Sequence, residues 1–255
     1  NYLDVDGNPD FDGNGEINIE GEKKNVIDDG GRYLLLSDSD KYVTVVTYLR
    51  GADAHSSYPT GMKVYRIHRT EDEATLEYIP ELDNLLQYAG CSIRVTGNQG
   101  IRMITALSQS NKAALTGSGL AGFTLEEYGT AVCWADSMTG SLTLGKSFAR
   151  SNYAYKKGVA DPVFHREGGM MQYTNVLVGF ALEECSRDMV MRPYITLLDA
   201  DGELVTLYGG NVQRSIGYIA YQNRNCKQLG NAAYEYVWEI IHAVYGDAYD
   251  DEYTG

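Results

Sequence analysis

Met189-Val190-Met191-Arg192-Pro193-Tyr194-Ile195-Thr196-Leu197-Leu198, then Asp199-Ala200-Asp201-Gly202, then Leu204-Val205-Thr206-Leu207-Tyr208, is the stretch that decides the fold class. Two runs of apolar, β-branched and aromatic residues flank a short polar segment that ends in Asp-Gly. Aspartate hydrogen-bonds its own backbone in a turn, and glycine takes the positive φ that a tight reversal needs. The stretch therefore predicts a hairpin that pairs residues 194–198 with 204–208.

Working outward, residues 175–180, 92–95 and 101–107 also read as strands. The last of these places Ile101, Met103, Thr105 and Leu107 on one side. Residues 123–134 form a strand pair or one long bent strand, and 41–49, 62–68 and 74–79 form three more. Pro80-Glu81 is expected to open a short helix through Leu82, Leu85, Leu86 and Ala89, with Gly90 as its left-handed cap. Residues 138–171 are rich in Gly, Ser and Asn and read as a long structured loop. Residues 215–221 read as one further strand. After it, Ala233, Tyr236, Val237, Ile240, Ile241 and Val244 recur at helical spacing between an Asn231 cap and a Gly246 stop.

The sum is a mainly β chain: a β-sandwich, Ig-like or jelly-roll-like, with a C-terminal helix packed on it and a smaller N-terminal β-unit. The expected division is 1–30, 31–90, 91–246 and 247–255. No alternation of strand and helix suggests a parallel nucleotide-binding sheet. The 28 glycines and 21 tyrosines among 255 residues agree with strands and turns.

The formal net charge is −14, from 35 acidic and 21 basic side chains. Nine acids lie in residues 1–30 against Lys23 and Lys24, and Asp247, Asp250, Asp251 and Glu252 follow Gly246, so the body between is nearly balanced. Nucleic acid and anionic membranes both call for a basic surface, and neither is an expected partner. No apolar run approaches the roughly 20 residues of a membrane span, so no membrane insertion is expected. No basic-then-apolar leader opens the segment, and the acidic end is expected to lead toward neighbouring domains of the same chain.

Cys91, Cys133, Cys185 and Cys226 have no zinc-like spacing. Two disulfides in three connectivities and free buried thiols are both open, with Cys133 in an apolar run resembling the latter. His55, His68, His165 and His242 are scattered, and no G-x-S-x-G or recognisable Cys-His arrangement accompanies them. The glycine pairs at 97–100 and 117–119 read as turns, because no lysine-bearing helix start follows them.

Asp10-Phe11-Asp12-Gly13-Asn14-Gly15-Glu16-Ile17-Asn18 carries the sharpest motif. Alternating carboxylate and amide oxygens from Asp10, Asp12 and Asn14, with Glu16 at a backbone-carbonyl position, suit calcium, which takes six to eight oxygens. Asp4 and Asp6 repeat the pattern just upstream. The segment resembles EF-hand-like loops and especially dockerin calcium half-loops, which implies a structural calcium site. It departs from them at the twelfth position, which is Gly21, and no flanking helix or second repeat is evident. The competing reading is a solvated acidic linker.

Exposed tyrosines are the other candidate. Tyr153 and Tyr155, with Asn152, Gln172 and Tyr173 nearby, would offer flat rings and amides to a glycan. Tyr58, Tyr218 and Tyr221 lie in similar surroundings, whereas strand tyrosines commonly half-bury their rings. The patches Gly100-Ile101-Arg102-Met103-Ile104-Thr105-Ala106, Met191-Arg192-Pro193-Tyr194-Ile195-Thr196 and Arg214-Ser215-Ile216 resemble β-rich modules in secreted multidomain proteins of gut clostridia. That resemblance implies an extracellular or cell-surface, non-catalytic module that binds glycan or cell surface. A structural spacer or adhesin module, or an unrecognised hydrolase, are the alternatives.

Overall fold

A computed structural model describes residues 26–28, 33–35, 41–70, 74–95, 97–138, 142–147, 149–154, 165–225 and 231–253. The acidic loop with Asp4, Asp6, Asp10, Asp12, Asn14 and Glu16 lies outside the described residues, as do Tyr155 and Cys226. The elements in chain order begin with β1 (Val26–Asp28), β2 (Tyr33–Leu35), β3 (Tyr42–Leu49), β4 (Tyr58–Arg69) and β5 (Ala74–Tyr78). There follow β6 (Gln87–Arg94), β7 (Gly100–Ser108), α1 (Gln109–Thr116), β8 (Thr124–Trp134), β9 (Ala149–Ala154), β10 (His165–Glu167) and β11 (Met170–Val178). The last are β12 (Asp188–Leu198), β13 (Leu204–Tyr208), β14 (Val212–Ser215), α2 (Ile216–Asn223) and α3 (Asn231–Tyr245).

All strand pairings among the described residues are antiparallel. The sheets run β1-β2, β3-β4-β5, β10-β11-β7-β6 and β13-β12-β8-β9, with β14 also on β12. The predicted hairpin is present: Tyr194 pairs with Tyr208, Leu198 with Leu204, and Gly202 N donates to Asp199 O at 3.1 Å. β12 is the central strand of its sheet because it is apolar on both faces, with residues 189–195 all buried.

The four- and five-stranded sheets face each other across the core, which is the sandwich expected from sequence. Tyr173 on β11 and Tyr128 on β8 pack with ring centroids 4.9 Å apart, and both are essentially unexposed. Beside them the Thr130 hydroxyl donates to Asn175 Oδ1 at 2.8 Å, a polar bridge from sheet to sheet. Met62 and Val64 of β4 join the same core as Leu107, Phe123, Ile195 and Leu207. The two β-units thus share one core, and the expected boundary at residue 90 falls inside β6.

Four local expectations are corrected. Residues 80–89 are not a helix: after one 3-10 turn at Pro80–Leu82, Asn84 takes φ 52° and pairs with β4, its N–H donating to Met62 O at 2.8 Å and its Oδ1 accepting from Met62 N at 3.0 Å. Leu82, Leu85 and Leu86 are buried by the turn, so helical spacing reports burial without helix. Gly90, at φ 135°, sits where the β6–β7 register slips between Tyr88 and Gly90 and is a bulge, not a cap. Residues 216–221 belong to α2, where Ser215 Oγ caps the helix by accepting from Tyr218 N at 3.0 Å, and Ile216, Ile219 and Ala220 face the core. Finally, the expected loop at 138–171 contains β9 and β10 and the first residues of β11.

α3 forms as predicted. Ala233, Val237, Ile240 and Ile241 are buried, the last three in one cluster with Ile93, Met103, Met191 and α2. No described helix is long and apolar enough to cross a membrane.

Candidate ligand groove along the last helix

The face of α3 turned away from the core carries Glu235, Glu239, His242 and Ala243, all exposed. These positions follow the helical repeat, with Trp238 at the border between the two faces. Trp238 is 6% exposed, and its indole N–H has no acceptor among the described residues. Gly246, at φ 61°, ends the helix and turns the chain into the 3-10 segment Gly246–Glu252. Tyr249 anchors that segment against Tyr221 and Tyr245, with centroids 4.7 and 5.5 Å away. Arg224 holds Glu252 at 2.6 Å while its guanidinium lies 3.7 Å over the Tyr221 ring.

This return brings Asp250 and Tyr253 alongside α3. Tyr253 is 45% exposed and lies edge-on to Trp238 at 5.4 Å. Leu182, from the 3-10 turn Leu182–Glu184, forms the facing wall. The groove is open to solvent and has a volume of about 490 Å³. An adjoining hollow of about 500 Å³ shares Leu182 and Glu239 with it, and is walled by Asn98, Gln99, Val178, Phe180 and Tyr236. No described lysine or arginine lines either hollow.

His242 Nδ1 lies 3.6 Å from Asp247 and 3.5 Å from Asp250. These three exposed side chains are the one grouping with metal-type donors close together among the described residues. Three surface donors fall short of the oxygen shell calcium takes, so the group is best described as a charged rim. Below it, the Cys185 thiol is pushed up to about 11, first by burial and then by Glu184, Glu183 and Glu239.

A second polar cluster holds the 51–57 loop to the body. His55 Nε2 lies 2.6 Å from Asp188 Oδ1, Gln213 Nε2 donates to Asp188 Oδ2 at 2.8 Å, and the His55 ring sits 4.7 Å from that of Tyr218. Arg214 Nη1 donates to the carbonyls of Ala54 and Ser57. The nearby Cys91 thiol is raised by burial, against weaker opposing effects of Tyr88 and Arg214. Cys91, Cys133 and Cys185 are free.

The residues expected to form a tyrosine platform lie on two strands, β9 and β11, apart from Tyr155, which lies outside the described residues. Asn152 and Tyr153 lie on β9 opposite Gly129 and Tyr128, whereas Gln172 and Tyr173 lie on β11 in the other sheet. Tyr173 is fully buried, its hydroxyl donating to Gly129 O at 3.3 Å, because the sandwich interior claims its ring. Tyr58 is 37% exposed and lies 6.4 Å from Tyr88, while Tyr218 and Tyr221 are occupied by His55 and Arg224. Sequence reasoning missed the α3 groove. The repeat of Glu235, Glu239 and His242 opposite the apolar stripe was visible, but the wall that makes it a groove was not.

The molecule is thus an antiparallel, mainly β protein with a grooved C-terminal helix. No family model, curated protein or solved structure matches the chain.

Proposed function

We propose that this chain is a non-catalytic, extracellular binding module whose ligand is a glycan taken into the α3 groove. The observation that carries the reading is the placement of the Tyr253 ring and the Trp238 edge beside Glu235, Glu239 and Asp250. Flat rings stack on the apolar faces of sugar rings, and carboxylates accept their hydroxyls. Clefts of this size, apolar with a few converging polar groups, are where small ligands bind.

Titration of plant, host and bacterial oligosaccharides into the protein by calorimetry tests the reading. Binding that Tyr253→Ala weakens about three- to tenfold supports it. A well-folded protein that binds no glycan overturns it and leaves a spacer role. The calcium site at Asp4, Asp6, Asp10, Asp12, Asn14 and Glu16 belongs to the same proposal as a structural staple. Its test is the melting temperature with calcium and with chelator, which should differ.

A further inference from the structure

Resting on the glycan reading, we infer that the groove selects chains of amino sugars with free ammonium groups and turns away polyanionic glycans, with Glu239 as the selecting residue. Glu235, Glu239 and Asp250 line the groove, Asp247 stands beside it, and among the described residues no basic side chain except His242 lines it. His242 turns one ring nitrogen, Nδ1, toward both Asp247 and Asp250. A uronate or sulfate in this position would meet like charge at short range, and specificity is gained as much from such repulsion as from attraction. An ammonium group instead donates up to three hydrogen bonds to carboxylate oxygens while the rest of the sugar keeps its contact with the aromatic wall.

Glu239 has a particular place. It is shared by the aromatic groove and by the adjoining hollow, where Asn98 and Gln99 supply amides suited to hydroxyls. A ligand that occupies both hollows passes this carboxylate, so the ligand is a chain of several sugars and not a single one. The acidity of the neighbourhood also reaches inward, since Glu239 is among the groups that raise Cys185 and the Tyr236 hydroxyl.

The test is calorimetry on the whole chain at low salt with four probes: glucosamine oligomers, N-acetylglucosamine oligomers and cello-oligomers of equal length, and polygalacturonate. Glucosamine oligomers should bind roughly three- to tenfold tighter than the uncharged oligomers, the gain of one or two exposed ion pairs. That advantage should vanish at about 0.5 M salt, where screening is short-ranged. Glu239→Gln should bring the affinity for glucosamine oligomers down to that for the uncharged oligomers, with Glu235→Gln as the second variant and circular dichroism confirming the fold. Polygalacturonate should not bind. Equal affinities for charged and uncharged oligomers, or binding of polygalacturonate, would overturn the selectivity while leaving glycan binding standing. Binding of none of the four, or of a lysine-rich peptide alone, would overturn the glycan reading itself.

Discussion

The rings of Tyr234 and Tyr253 lie parallel, with centroids 5.8 Å apart and planes 12° apart, so a residue of α3 braces the ring that closes the groove. Tyr253 is therefore held in place before any ligand arrives, which reduces the entropic cost of binding. Tyr253→Ala should weaken a bound oligosaccharide about three- to tenfold, the usual worth of one aromatic contact, and Tyr253→Phe should not. Calorimetry on both variants reads the difference; equal loss in the two would assign the effect to the hydroxyl.

The Thr130–Asn175 bridge is a buried hydrogen bond between the two sheets, with Thr130 1% and Asn175 3% exposed. Thr130→Val keeps the shape and removes the donor, and should cost about 1–3 kcal/mol. Urea unfolding measures it. An unchanged midpoint would mean that another donor satisfies the amide.

Ser215 connects β14 to α2 by capping the helix from a buried position. Ser215→Ala should destabilise by about 0.5–2 kcal/mol, and Ser215→Thr, which restores the acceptor, should recover most of that. Thermal melts of the two variants distinguish lost capping from a general intolerance of substitution.

Burial, followed by Glu184, Glu183 and Glu239, sets the Cys185 thiol at about 11, so it carries almost no thiolate at neutral pH. Iodoacetamide should leave Cys185 unmodified in the native protein and alkylate it in denaturant. Peptide mass spectrometry reads the site, and rapid native labelling at neutral pH would contradict its packing.

Asp136 is held below the ordinary carboxylate range, chiefly by Arg187, which donates to it from Nε at 3.0 Å and Nη2 at 2.9 Å and stacks 4.3 Å over Trp134. Because the folded value is the lower one, the contribution is present above the unfolded value and is lost as pH falls through the folded one. The pair is exposed, so the effect is small. Asp136→Asn should flatten the acid limb of the stability curve slightly and leave stability near pH 7 less than before.

The hairpin at 194–208, the long helix and its Gly246 stop were legible because each is written within a few neighbouring residues. Turn chemistry at Asp199-Ala200-Asp201-Gly202 sets one reversal, and an apolar repeat sets one helical face. The same local reading failed at Leu82, Leu85 and Leu86, where helical spacing marks burial under β4, and at Ser215, where a helix start follows a strand without a break. In each case the deciding partner lies far away in sequence.

The amino-acid sequence by itself determined that this chain is mainly β and which stripe of α3 turns inward, because periodicity and capping are short-range effects. Only the tertiary structure decided that Met62 and Val64 share a core with Ile195, that Tyr173 is interior, and that Leu182, Glu239 and Tyr253 line one groove. Those outcomes depend on which surfaces meet, and a periodic pattern says that a face is buried without saying against what.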